Sequence, residues 1–241
     1  MKKILLALCL ATPMVSVAQQ PLTAEVLWGL GRVSAVAVSP NKTQTLYRVG
    51  VTNVAEQSNK NTYYIVDHKS RKSTTVNWFD GKSFVQWDKN GIYAVDKDGV
   101  LWLNKSGNGD TWISVAKGLS SAENIRISPN GFQVAFSKHV HMHDVMGKDK
   151  YKDVPKTTAQ IYTSLNYRHW DTWYDGKVSH LFVAPINNIE AAKDIVKDLP
   201  YDVPTKPFGG TEDFIWSPNS QNVVFVTKAK FGTEYAISTN T

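Results

Sequence analysis

The 241-residue chain has a single cysteine, Cys9, and it lies in the apolar stretch at the amino terminus. With that stretch set aside, disulfides, thiolate zinc sites and a cysteine nucleophile are all excluded. Charge of one sign is also in short supply. The formal net charge of +6 falls to +4 without Lys2 and Lys3, and the remaining Lys and Arg are scattered between apolar runs. No basic block supports nucleic-acid binding. Long hydrophobic runs are absent too. The only candidate, "ILLALCLATPMVSVA", is too short and too interrupted by Pro13 to cross a membrane as a helix.

That run reads instead as a secretory leader, residues 1–18. "MKK" supplies the positive start, and Ala18 and Ser16 are the small residues at −1 and −3 of a cleavage site. Leu8 before Cys9 argues against lipidation. The expected location is periplasmic or secreted, with no membrane association after leader removal. Nothing in the sequence points to a cofactor.

What remains, 19–241, has ample material for a core: 42% of the chain is hydrophobic and 11% aromatic, which rules out a disordered protein. One phrase recurs in it, as "VAVSPNKTQTLY" (36–47), "IRISPNGFQVAF" (125–136) and "FIWSPNSQNVVF" (214–225). Alternating apolar residues flank each "SPN". Pro fixes φ for a reverse turn, Asn tolerates left-handed geometry and Ser can accept a local hydrogen bond. Each phrase therefore predicts a β-hairpin. "VQWDKNGIYAV" (85–95) is a degenerate fourth copy, so the turns fall at Ser39, Asp88, Ser128 and Ser217.

A second hairpin follows each of the first three turns, at 62–76, 99–115 and 179–196. The segment "NNIEAAKDIV" resembles a short helix in isolation, but its place in the repeat favours hairpin plus strand. Two hairpins make four antiparallel strands, the content of one propeller blade. The last interval is about twice as long as the others, so an insertion at about 139–177 is expected in the third blade. The predicted fold class is thus all-β, a partial β-propeller of about three and a half blades forming an open arc. Closed propellers usually have about four to eight blades. An uncovered blade face with about five large apolar side chains forgoes on the order of 10 kcal/mol of burial, comparable to a whole domain's stability. The chain alone is expected to be incomplete and prone to aggregate.

Three passages carry a resemblance: "PLTAEVLWGLGRVSAVAVSPNKTQTLY", "LNYRHWDTWYDGKVSHLFVAP" (165–185) and "PYDVPTKPFGGTEDFIWSPN" (200–219). They resemble secreted bacterial dipeptidyl-peptidases of the prolyl oligopeptidase family, in the dipeptidyl-peptidase V and acylaminoacyl-peptidase branch. Asn41, Asn130 and Asn219 stand where that family more often has Asp. The resemblance implies an amino-terminal propeller that restricts access to short or unfolded peptides, followed by an α/β-hydrolase domain carrying Ser, Asp and His. That serine would sit on a G-x-S-x-G elbow. No such elbow occurs here, and "GLSSA" (118–122) lacks the second glycine. The expectation is therefore a propeller portion without catalytic residues, whose parent acts on peptide substrates. The rival reading is a non-catalytic periplasmic propeller that binds a protein partner, as TolB-like propellers do; a third is an arc completed by oligomerisation.

Few side chains stand out as binding candidates. Arg168 in "YRHWDTW" is placed to meet a substrate carboxylate, and Glu212 and Asp213 in "GGTEDF" to meet a peptide amine. The blander reading is structural for all three: aromatic anchoring of the insertion, and turn formation before a strand. "HVHMH" places His139, His141 and His143 on one strand face, with Asp144 after a turn. Same-face residues on one strand rarely converge on one ion without a second element, so no metal site is expected.

Overall fold

The computed structural model describes residues 21–107, 111–163, 168–169 and 171–229. The leader expected at 1–18 lies outside the described residues. Two compact units divide the chain, one of residues 1–34 with 48–62 and the other of 35–47 with 63–241.

Four successive strands make the first sheet, β1 (Arg32–Val38), β2 (Gln44–Asn53), β3 (Ser58–Asp67) and β4 (Ser73–Val76), paired in that order. The second repeats the plan with β5 (Lys82–Asp88), β6 (Gly91–Asp96), β7 (Leu101–Asn104) and β8 (Ile113–Ala116). In the third, β9 (Glu123–Ile127) and β10 (Gln133–His141) are followed by a long excursion before β13 (Lys177–Pro185) and β14 (Lys193–Asp194) complete the sheet. Within the excursion lie a one-turn helix, Gly147–Lys150, and a minimal hairpin of β11 (Arg168–His169) and β12 (Thr172–Trp173). A two-stranded sheet, β15 (Phe214–Trp216) with β16 (Val223–Phe225), ends the described chain. Three four-stranded antiparallel sheets and half of a fourth make this an all-β partial propeller of about three and a half blades. The run is open: among the described residues no strand pairing joins the first sheet to the last.

The three "SPN" turns share one hydrogen-bond network. In each, the serine N–H donates to the carbonyl five residues on, as Ser39 to Gln44, Ser128 to Gln133 and Ser217 to Asn222. Each serine hydroxyl donates to the asparagine Oδ1 two residues later at 2.7–2.8 Å and accepts the returning backbone N–H at 2.9 Å. Asparagine therefore works as an acceptor, and the left-handed position expected for it falls one residue later. Lys42, Gly131 and Ser220 take it, with φ of 58°, 79° and 62°. Oδ1 is all the turn needs, which is why Asn suits a place where Asp also serves. Ser and Asn are consumed by the turn, so the repeat is a structural unit.

Between neighbouring sheets lie the cores. Leu46, Val76, Phe79, Ile92 and Ala94 fill the space between the first and second sheets. Leu101, Leu103, Ile125, Ile127, Val134 and Phe136 lead the cluster between the second and third. Leu181, Val196, Val203, Phe214 and Trp216 join the third to the half-blade. Polar ties reinforce these contacts. Gln86 on β5 both donates to and accepts from the Ile127 backbone on β9, at 3.2 and 3.1 Å. Trp216 Nε1 donates to the Arg126 carbonyl at 3.2 Å, and the Asn130 N–H donates to Ser220 Oγ at 3.0 Å. Gly99 (φ +74°) lets the β6–β7 turn touch the 119–120 backbone, where any Cβ would collide with Ser120. "NNIEAAKDIV" forms the expected hairpin strand, β14 antiparallel to β13, though only two residues long and preceded by a 3-10 turn, Ile189–Ala191.

In the first unit a short helix, Ala24–Gly29, is capped by Thr23, whose hydroxyl accepts from the Val26 N–H at 3.3 Å. Arg32 closes the helix end by donating to the Trp28 and Leu30 carbonyls and stacking 5.0 Å from the Trp28 ring.

Candidate functional site

The loop that enters the half-blade is built by its carboxylates. Asp202 accepts from the Ser179 N–H at 2.8 Å and pairs with Lys206 at 3.0 Å, tying the loop to β13. Asp213 Oδ2 accepts both the Thr205 N–H, at 2.8 Å, and the Thr205 hydroxyl, at 2.6 Å. Gly209 sits inside this clasp, where a Cβ would strike Asp213 Oδ2 and the Thr205 backbone. The "PFGGTED" string is thus a folded loop with Asp213 as its clasp and a 3-10 turn, Thr211–Asp213, as its exit.

Glu212 is exposed on that 3-10 turn. Its nearest electrostatic companion is Arg126, a residue that sequence reasoning did not single out. Arg126 Nε donates to the Thr211 carbonyl at 2.7 Å, and the guanidinium stands 5.8 Å from the Phe214 ring centre. Burial lowers the Arg126 pKa from its ordinary value, and the Glu212 charge opposes that shift. The signal that might have revealed it was its place between buried Ile125 and Ile127, where a strand projects it from the opposite face.

Arg168 belongs to a different neighbourhood. On β11 it faces Trp173 with its guanidinium 5.3 Å from the ring, and Trp173 stacks on Tyr162 at 6.1 Å. The Tyr162 hydroxyl donates to the Tyr174 carbonyl at 2.8 Å, and His143 Nδ1 lies 2.6 Å from the Tyr174 hydroxyl. An aromatic cluster therefore organises the excursion. The three candidates have separate partners: Trp173 for Arg168, Arg126 for Glu212 and Thr205 for Asp213.

The histidines part company as well. His139 and His141 end β10, while His143 lies past it in the aromatic cluster. His141 Nε2 meets Asp144 Oδ1 at 2.8 Å, and this hydrogen bond holds the Asp144 carboxyl below its ordinary pKa. Asp149, from the one-turn helix, brings a third ligand atom within 4.8 Å of these two. Such a nitrogen and two carboxylates are divalent-cation donors by type, but Lys150 and Lys152 also act on Asp144 and give it cationic company already.

No family model matches this sequence. A dipeptidyl-peptidase 5 from Porphyromonas gingivalis is 32% identical over 237 residues, covering 91% of this chain and 33% of that protein. The dipeptidyl-peptidase 5 of Porphyromonas endodontalis is 26% identical, over 91% of this chain and 32% of its own length. Over most of its length the chain is thus related in sequence to part of these dipeptidyl-peptidases. It spans about a third of the length of the relatives it matches. Among solved structures, an acylaminoacyl peptidase from Pyrococcus horikoshii superposes with a TM-score of 0.47 at 11% identity, over 70% of this chain and 26% of that one. By their sequence relationship to the Porphyromonas gingivalis dipeptidyl-peptidase 5, the propeller blades described above are a peptidase-related domain. Among its described residues no helix is long and apolar enough to cross a membrane.

Proposed function

We propose that these blades are the substrate-gating portion of a secreted serine exopeptidase that releases dipeptides or acyl-aminoacyl units from peptides. The observation that carries the reading is the 32% identity to a dipeptidyl-peptidase 5 along 91% of the chain. In this reading residues 1–18 are a leader removed on export to the periplasm or beyond, and 19–241 form propeller. The catalytic serine, aspartate and histidine belong to an α/β-hydrolase domain outside these residues. The absence of a G-x-S-x-G elbow in this sequence supports that division.

The blades act by exclusion. A rigid wall of sheets admits short or extended peptides and turns away folded proteins, so selection precedes chemistry. Glu212, exposed beside Arg126, is the carboxylate placed to meet a peptide ammonium; Arg168 is the cation placed to meet a carboxylate. Asp213 orders the loop that presents Glu212.

The test compares the 241-residue chain with its full-length parent on dipeptidyl-coumarin substrates and on a folded protein. The expected result is no turnover by the chain alone, with cleavage of short substrates and sparing of the folded protein by the parent. Turnover by the purified chain, or a parent inert toward dipeptidyl substrates, would overturn the proposal.

A further inference from the structure

The 117–122 link between β8 and β9 and the adjoining third sheet leave a cleft of about 400 Å³, within the range typical of small-ligand sites. Its floor is apolar. Phe136 and Phe182 are directly opposite on β10 and β13, stacked at 5.8 Å with 12° between ring planes. Ile189, on the 3-10 turn before β14, continues the floor.

Charges ring the opening. Lys138 stands two residues from Phe136, hence on the same face of β10, and Lys117 comes from the chain just after β8. Glu190 enters from the 3-10 turn. All three are exposed, and none makes an ion pair or hydrogen bond within the described residues. A rim of two ammonium groups and one carboxylate around stacked aromatic rings matches a ligand with a carboxylate, an ammonium and a large apolar side chain.

We propose that this cleft binds an apolar dipeptide with free ends. The peptide carboxylate lies between Lys117 and Lys138, its ammonium lies at Glu190, and its side chains rest on the partly exposed Phe182 and Ile189, with Phe136 buried beneath them. The carboxylate supplies a counter-charge to both lysines, and an acidic or fully polar ligand would leave Phe182 and Ile189 uncovered. The site is separate from Glu212 and Arg168, and its occupancy does not depend on the peptidase reading.

Titration calorimetry on the unmodified chain, in a fraction shown by light scattering to be monomeric, tests this with Phe-Leu, N-acetyl-Phe-Leu, Phe-Leu amide and Ser-Gly as probes. Phe-Leu is expected to bind, and blocking either end to weaken it about three- to fivefold, as exposed charge pairs allow. Ser-Gly, without the apolar contact, is expected to weaken it further. Lys138→Glu, a surface change, should lower Phe-Leu affinity while leaving Phe-Leu amide affected less. Absence of Phe-Leu binding at about 10 mM, a ceiling weaker than millimolar affinity, overturns the proposal. So does equal binding of free and end-blocked peptides, or indifference to Lys138→Glu.

Discussion

His180 presents Nδ1 to Asp194 Oδ2 at 2.7 Å and Nε2 to the Leu199 carbonyl at 3.0 Å. Both ring nitrogens thus have an oxygen partner, one a carboxylate and one a backbone carbonyl. The ring is buried on β13 and Asp194 lies on β14, where its other oxygen accepts the Val196 N–H at 2.9 Å. This pair holds the short last strand of the third blade in place of a longer ladder. Removing the ring leaves the mostly buried Asp194 carboxyl and the Leu199 carbonyl without this partner. His180→Ala is therefore expected to cost about 2–3 kcal/mol, because Asp194 keeps only some solvent contact. Urea unfolding of the two proteins gives the number; a loss under about 1 kcal/mol would place the pair among weak surface contacts.

The serine turns allow a paired comparison. Ser128 is fully buried and Ser217 is not, yet both hydroxyls bond the asparagine Oδ1 and the returning N–H, Ser128 also reaching the Gln133 carbonyl at 3.0 Å. Ser128→Ala should cost about 1–3 kcal/mol because it leaves the Gln133 N–H without its side-chain acceptor away from water. Ser217→Ala should cost roughly 1 kcal/mol, since water replaces the lost partner. Equal losses at both sites in thermal unfolding would contradict the burial argument.

Those turns also explain what the sequence made legible. Ser, Pro and Asn act within six residues, so hairpins, their spacing and the blade count could be read directly from one chain. The left-handed residue after Asn could not, because Lys42, Gly131 and Ser220 share no chemistry that announces it. Candidate site residues were harder still. Asp213 reads as an acidic partner of Glu212, but Thr205, eight residues earlier, claims it through a loop whose path local propensity does not encode. Arg126 was missed for the converse reason: its partners Thr211 and Phe214 lie across a blade boundary.

Tyr93 gives a prediction in alkaline solution. It is buried on β6, and desolvation, with the Asp88 charge second, pushes its phenol up to about 12. A raised pKa means that the folded state holds the proton more tightly than the unfolded chain, where tyrosine ionises near 10. Its contribution is complete below about 10 and is lost as the pH climbs through the folded value. Stability should fall between about pH 10 and 12, and Tyr93→Phe should flatten that slope. Ultraviolet titration of phenolate should show a late-ionising tyrosine that Tyr93→Phe removes; if the variant leaves both the late titration and the slope intact, another group is responsible.

The half-blade sets the solution behaviour. Ile215 and Val224 are cross-strand partners on β15 and β16, and Val226 follows two residues on, so all three share one face. They are 59%, 61% and 64% exposed, whereas Phe214 and Trp216 on the other face are buried against the third blade. A two-stranded sheet whose apolar face is open and whose outer edges are unpaired among the described residues is a template for association through both. Val224→Lys together with Ile215→Thr should therefore raise solubility and reduce the scattering of the 241-residue chain at equal concentration. The buried face is untouched, so the cost in stability should stay within about 0.5 kcal/mol. Dynamic light scattering across a dilution series reads the effect. A wild-type chain that stays monomeric and melts in one sharp transition would show that this face needs no cover, and the argument from its three exposed side chains would fail.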